Sequence, residues 1–253
     1  MPRLFVRRPS PLLAEGELTH LDRVPVDADL AVEQWRGYVD AFRSRGWDVI
    51  EIEPADAHPD GVFVEDAVVI FGDLAVLCRA GAESRRGEAG TVRAGVAASG
   101  IDTAEIAEPG TLDGGDVLKV GDTVYVGASS RTNAEGIAQL RTLLEPRGWA
   151  VREIPVSKVL HLKSGVTALP DGTVIGFEPL VDDPGLFPRF AGVPEEHGTA
   201  VVVLDDRTVL MSADAPETAA SHRARGLEVV TVDISEFEKL EGCVTCLSVR
   251  LRD

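Results

Sequence analysis

Short apolar runs come in pairs along this chain, each pair closed by a small polar turn. At 67–77 (AVVIFGDLAVL) two such runs flank Gly72-Asp73, and the shape returns at 117–126 (VLKVGDTVYV), 166–175 (VTALPDGTVI) and 200–211 (AVVVLDDRTVLM). Apolar runs joined through Gly-Asp, Asp-Gly or Asp-Asp predict β-hairpins, because these residues suit the tight turn. The first three turns lie about 50 residues apart, a spacing that suggests repeated modules. Between hairpins the period changes. Over 29–46, Trp35, Val39 and Phe42 fall three to four residues apart, which predicts a helix with Asp29 as its cap and Gly46 as its stop. Strand-like WDVIEIEP follows. Ile137, Leu140 and Leu144 place a second helix over 133–148, followed by strand-like WAVREIPV. The fourth hairpin is followed by a helical stretch at 216–225 and by LEVVTVDI. The predicted unit is therefore hairpin, helix, strand. The chain opens on a lone run, LFVR at 4–7, and ends on another, VTCLSVRL at 244–251. Each reads as half a hairpin, and pairing the two would close a ring of modules.

With 253 residues, 44% of them apolar and 26% charged, the chain can bury a sizeable core. No linker or low-complexity tract divides it, so a single catalytic domain over 1–253 is expected. The net charge of −17 argues against nucleic acid, whose binders carry basic patches, and suits a small cationic ligand. No apolar run has the length of a signal peptide core or a membrane span. Three cysteines are too few, and odd in number, for a disulfide framework. A cytoplasmic setting without membrane association is expected.

Cys243 and Cys246 form a C-x-x-C. A thioredoxin-like motif would open a helix after a strand, whereas here Gly242 precedes and a strand-like run follows. As a zinc half-site it lacks a second half, and the histidines are scattered. Placed on a strand, the two cysteines are badly spaced for a disulfide. Cys78, inside an apolar run, reads as packing. Cys246, after a Gly-containing loop, and His161, in HLKSG, make a thiol and imidazole pair of the kind used in nucleophilic catalysis. Asp60, Glu65 and Asp66 cluster in PDGVFVED, and Asp113 and Asp116 in LDGGD, each group just before an apolar strand. Such carboxylates can converge on a site, although Asp and Gly also serve turns. Arg85 and Arg86 in GAESRRGE, and Arg131 in SRTN, offer planar forks for an anion such as a carboxylate, or are surface charges.

The segments PDGVFVEDAV, GAESRRGE, LDGGDVL, SRTNAEG, VLHLKSG and EGCVTCLSV together resemble the signatures of the dimethylarginine dimethylaminohydrolase family, in order and over nearly the whole chain. The resemblance implies an α/β propeller of five ββαβ modules with pseudo-five-fold arrangement, the fold of the guanidine-modifying superfamily. It also implies hydrolysis of N-ω-methylated arginines to citrulline and a methylamine, with no cofactor or metal. By the same resemblance Cys246 is the nucleophile, His161 the general acid and base, and Asp113 the group that orients His161. Glu65 and Asp66 would hold the guanidinium, with Asp60 in the same pocket, and Arg85 and Arg131 the α-carboxylate. The backbone carbonyls of Leu18 and Leu240 would meet the amino-acid end.

The similar arginine and agmatine deiminases carry an acid two residues after the catalytic histidine, where this chain has Lys163. The missing acid favours a methylated substrate over free arginine, which a second carboxylate would grip at both terminal nitrogens. Some relatives carry Glu at the position of Asp113, a change expected to be tolerated. Alternative expectations are another guanidine hydrolase or deiminase, or a non-catalytic propeller like the ribosome anti-association factors. The last predicts loss of the cysteine and histidine, both of which are present. A homodimer is left open.

Overall fold

In the computed structural model, which describes residues 1–251, the repeat becomes five three-stranded sheets. The first is built from both ends of the chain. Strand β1 (Arg3–Val6) leads to helix α1 (Ala28–Arg43) and β2 (Asp48–Glu51), which lies parallel to β1. The second module is β3 (Val68–Phe71), β4 (Leu74–Leu77), α2 (Ala89–Ala98) and β5 (Asp102–Glu105); the third is β6 (Val117–Val120), β7 (Thr123–Ala128), α3 (Ala134–Leu144) and β8 (Ala150–Pro155). A one-turn helix, α4 (Leu162–Gly165), precedes the fourth module, β9 (Val166–Ala168), β10 (Val174–Gly176) and β11 (Phe190–Gly192). The fifth is β12 (Val201–Val203), β13 (Thr208–Ser212), α5 (Pro216–Ala224) and β14 (Glu228–Val232). After the short helix α6 (Ser235–Glu238), β15 (Val249–Leu251) returns to the first sheet and pairs antiparallel with β1, Arg3 opposite Leu251 and Phe5 opposite Val249. The two half-hairpins at the chain ends are thus one hairpin, and the ring is closed.

Each sheet repeats one wiring. Its middle strand runs antiparallel to the first and parallel to the third. The first strands β3, β6, β9, β12 and β15 surround an axial cavity of about 320 Å³. Their neighbours are buried on both faces, which is why these runs read as continuously apolar rather than alternating.

Three sequence expectations change in detail. The cap of α1 is Asp27, whose side chain accepts from the N–H groups of Asp29 and Leu30, and not Asp29. The fourth module has no α-helix between β10 and β11; Pro184, Pro188 and 3₁₀ turns at Glu178–Leu180 and Pro184–Leu186 occupy that stretch. The terminal run is extended only from Val249. Residues 244–247 form turns, with the Cys246 N–H donating to the Cys243 carbonyl at 3.1 Å. The buried Tyr38 hydroxyl holds this turn from α1: it donates to the Val244 carbonyl at 2.8 Å and lies 2.6 Å from Ser248 Oγ. No helix among the described residues is long and apolar enough to cross a membrane.

Candidate active site

The chemistry-bearing residues share one place in the repeat. Glu65 and Asp66 precede β3, Asp113 and Asp116 precede β6, His161 and Lys163 precede β9, and Cys246 precedes β15. Since the first strands ring the axis, the segments that enter them converge at one end of it. Arg85 and Arg131 come from the other side of each hairpin, just after β4 and β7.

One narrow cavity gathers Asp60, Asp66, Arg85, Arg131, His161, Leu240 and Cys246. His161 is buried, its Nε2 3.0 Å from Asp113 Oδ2 and its Nδ1 3.7 Å from Asp66 Oδ1. Burial alone would lower its pKa, but Asp66, Asp113 and Asp116 outweigh burial and raise it to about 9. Burial likewise opposes ionisation of Asp66, yet His161 and Arg85 carry its pKa down to about 2. Asp66 is a hub: Oδ2 accepts from Arg85 at 2.7 Å, and Oδ1 accepts from the Gly115 N–H at 2.9 Å. Asp60 accepts from the Glu17 N–H at 3.1 Å, and burial raises its pKa. The hydrogen bond with Cys243, followed by burial, pushes the Cys246 thiol well above its ordinary range.

Asp116, already among the candidate carboxylates of the sequence, has a supporting role here, and Glu17, Glu88 and Glu241 join it without having been singled out. Asp116 accepts from Ser129, Thr132 and the Leu162 N–H, so it anchors the turn that carries His161. Glu88 binds Arg85 through Nε and a terminal nitrogen, both at 2.9 Å. Glu17 pairs with Arg131 at 3.2 Å. Glu241, a non-glycine residue at φ 59°, accepts from the backbone N–H groups of Thr19, His20 and Leu21. Through Glu17 and Glu241 the segment around Leu18 is strapped over the cavity, and about 20 Å³ remains inside, room for roughly one water. The signal for these was an acid beside a motif, which surface acids also give.

Two expected residues sit differently. Glu65 does not line this cavity. Its carboxylate turns toward the axial cavity and takes Lys163 at 2.6 Å, Arg250 at 3.2 Å and the Thr245 hydroxyl at 2.7 Å. Two cations and a hydroxyl on that side out-compete the cavity for the carboxylate, and its grip on Thr245 fixes the turn that bears Cys246. Leu18 is also off the cavity wall; it packs on the core beside α1, while Glu17 reaches in. Arg86 pairs outward with Glu83.

The LDGGD glycines are explained by crowding. A Cβ on Gly114 would stand 2.0 Å from the Glu65 carbonyl oxygen, and one on Gly115 2.6 Å from His161 Nδ1. Gly114→Ala is expected to destabilise the chain by about 3 kcal/mol, since backbone must move to admit the methyl. Urea unfolding checks this; a loss under about 0.5 kcal/mol, the range of ordinary surface changes, would refute the close packing.

Asp66, Asp113 and His161 each offer one donor atom within 4.8 Å of the others, so these three could hold a metal ion. Arg85 and the Gly115 N–H already occupy Asp66, and the Gly81 N–H and His161 occupy Asp113. What the arrangement offers without a metal is a thiol, a cationic imidazole with Nε2 held by Asp113 and Nδ1 beside Asp66, carboxylates for a cation, and arginines for an anion.

Comparison with known proteins agrees. A family model described as N,N dimethylarginine dimethylhydrolase, eukaryotic, matches residues 23–164. The N(G),N(G)-dimethylarginine dimethylaminohydrolase of Streptomyces coelicolor is 60% identical over 251 residues, 99% of this chain and 97% of that protein. The protein of the same name from Pseudomonas aeruginosa is 36% identical over 251 residues, 98% of each. A crystal structure of that Pseudomonas enzyme as a cysteine-to-serine mutant complexed with citrulline superposes with a TM-score of 0.91 at 34% identity, covering 98% of both chains. A dimethylarginine dimethylaminohydrolase adduct with S-methyl-L-thiocitrulline also gives 0.91, at 33% identity over 98% of this chain and 99% of the other. With 60% and 36% identity over nearly its whole length and the fold in common with these proteins, the chain belongs to the dimethylarginine dimethylaminohydrolase family.

Proposed function

We propose that this chain hydrolyses N-ω-methylated arginines, asymmetric dimethylarginine and monomethylarginine, to citrulline and dimethylamine or methylamine. The observation that carries the reading is the meeting of Cys246, the His161–Asp113 pair and the Asp66 carboxylate on one cavity that also holds Arg131. Arg131 has one buried terminal nitrogen without a hydrogen-bond partner, a donor suited to the substrate's α-carboxylate.

The guanidinium binds as a cation against Asp66 and Asp60. Its charge lowers the pKa of the thiol beside it, and Cys246 Sγ attacks the central carbon as thiolate. The C–S bond forms and a tetrahedral adduct results. His161, protonated at neutral pH, gives the Nδ1 proton to the departing amine nitrogen, the C–N bond breaks, and a thiouronium remains on Cys246. Neutral His161 then takes a proton from water as its oxygen adds to the same carbon. Collapse expels the Cys246 sulfur, which takes up the hydroxyl proton, and releases citrulline. Asp113 holds Nε2 throughout and so reserves Nδ1 for both transfers.

Lys163 supports a methylated substrate. It stands where the similar deiminases carry an acid, and its ammonium is engaged by Glu65, so this position supplies no second carboxylate grip around the outer nitrogens. The same reading has one catalytic domain acting in the cytoplasm without a cofactor; three free cysteines support a reducing compartment.

A citrulline assay run in parallel on asymmetric dimethylarginine, monomethylarginine, arginine and agmatine tests this. Both methylated arginines are expected to turn over at least about tenfold faster than arginine, a difference of about 1.4 kcal/mol in the barrier. Agmatine, lacking the carboxylate, is expected to be poorest. Turnover of arginine alone would overturn the substrate.

A further inference from the structure

Cys243 is used by no step above, and its place in the fold is unusual. The turn at 243–246 brings Cys243 Sγ to 3.4 Å from Cys246 Sγ. The bond from the Cys246 N–H to the Cys243 carbonyl makes this an i to i+3 turn, which keeps the two Cα atoms within about 7 Å, a span that disulfides bridge. Closing from 3.4 Å to the covalent distance of about 2.05 Å asks for side-chain rotation rather than backbone rearrangement. The doubt raised by a strand-like spacing disappears, because the segment is not a strand.

The two sulfurs also face different spaces. Cys246 lies on the narrow cavity under the 17–21 strap, whereas Cys243 lies on a separate cavity of about 290 Å³ with His20, Lys158, His197, Glu238 and Glu241. That second cavity is large enough for a small oxidant or a dithiol, and it shares with the narrow one Leu160, Glu241 and Gly242. Cys78 is buried in the core beyond β4 and takes no part.

We propose that Cys243 is an oxidant-sensing cysteine, which forms a reversible disulfide with Cys246 and so switches the nucleophile off under hydroperoxide. A hydroperoxide ROOH reaches Cys243 through the wider cavity and oxidises its thiolate to a sulfenic acid, leaving as the alcohol ROH. Cys246 Sγ attacks that sulfur, the S–S bond forms, and water leaves with the Cys246 proton. For recovery, one thiolate of a dithiol attacks Cys243 Sγ from the same cavity and releases the Cys246 thiolate. The second thiol of the reductant then frees Cys243 and leaves as the cyclic disulfide. The hydrogen bond from Cys246 holds the Cys243 pKa at about 7, so a fraction is thiolate at neutral pH. The nucleophile is thereby kept off the irreversible branch of sulfur oxidation while oxidant is present.

The switch rests on Cys246 being the nucleophile, and a two-part readout keeps the two claims apart. The full chain is treated with a few equivalents of hydrogen peroxide, then assayed for citrulline and mapped by peptide mass, before and after dithiothreitol. Activity is expected to fall at least about tenfold and to return with dithiothreitol, while the peptide carrying both cysteines loses two hydrogens and regains them. In Cys243→Ser and Cys243→Ala, each compared with its own untreated activity, no dithiothreitol-reversible fraction is expected. The mass map of the unaltered chain is decisive even if either variant folds poorly. Reversible inactivation that persists in the variants, a wild-type Cys246 that gains oxygens instead of a bond to Cys243, or thiols left free after treatment would each overturn the switch. Citrulline formation by Cys246→Ser without any oxidant is the separate failure, that of the nucleophile.

Discussion

Cys246→Ser is expected to lose citrulline production by at least about 10³-fold while keeping its fold and its grip on substrate. The exchange replaces one buried sulfur by oxygen in a turn held by Tyr38, Thr245 and Glu65, none of which bonds the thiol itself. The guanidinium contacts at Asp66 and Asp60 and the carboxylate donor at Arg131 are untouched. What is lost is the nucleophile. A hydroxyl ionises far less readily than a thiol, His161 is tied to Asp113 at Nε2 and lies beside Asp66 at Nδ1, and the partner at 246, Cys243 with its pKa of about 7, is far too weak a base to deprotonate a hydroxyl. The check combines a citrulline assay with calorimetric binding of dimethylarginine. Activity within tenfold of wild type would remove Cys246 from the mechanism.

Much of this was legible in the chain because turn chemistry and burial act locally. Gly72-Asp73 and its counterparts marked the hairpins correctly, and the unmatched runs at 4–7 and 244–251 implied the closure that β1 and β15 make. The failures share a different cause. Asp27 and Asp29 are chemically equivalent caps two residues apart, and only the helix direction chooses between them. VTCLSV has the composition of a strand, but a tyrosine hydroxyl from the first helix and a glutamate from the second module hold it as a turn. Glu65 and Asp66 are adjacent acids that sequence treats alike. Which one lines the narrow cavity is decided by Lys163 and Arg250, close to Glu65 in space and far along the chain.

Asp66→Asn is expected to be the second most damaging change, lowering kcat/KM by about 10²–10³-fold and altering its pH dependence. The carboxamide cannot balance the guanidinium of Arg85 at 2.7 Å, nor support the charge on His161. Removing one partner of a buried pair leaves the other uncompensated, a cost of about 3–5 kcal/mol. The His161 pKa, raised to about 9 chiefly by Asp66 against the effect of burial, must fall toward its ordinary value. A general acid that deprotonates earlier moves the alkaline limb of kcat/KM down from about 9. Stability carries the same sign. A histidine whose folded pKa lies above its unfolded value stabilises fully below the unfolded pKa, near 6.5, and its contribution fades as pH rises through about 9. The wild type should therefore lose melting temperature across that window and Asp66→Asn much less. An unchanged alkaline limb in Asp66→Asn would show that Asp66 does not set the charge on His161.

The hairpin between β1 and β15 also sets a timetable. During synthesis the modules of β3 to β14 emerge in order and can each pair their own strands. The first sheet must wait, with β1 holding only β2, until Val249–Leu251 leaves the ribosome. Cys246 precedes Val249 by three positions, so its thiol reaches the histidine and the carboxylates only as the ring shuts. A nascent chain is therefore expected to be catalytically silent until Val249–Leu251 has emerged and paired with β1. A permuted gene that joins the two ends and opens at the Gly121 turn between β6 and β7 would shift that moment to a different module without altering the finished ring.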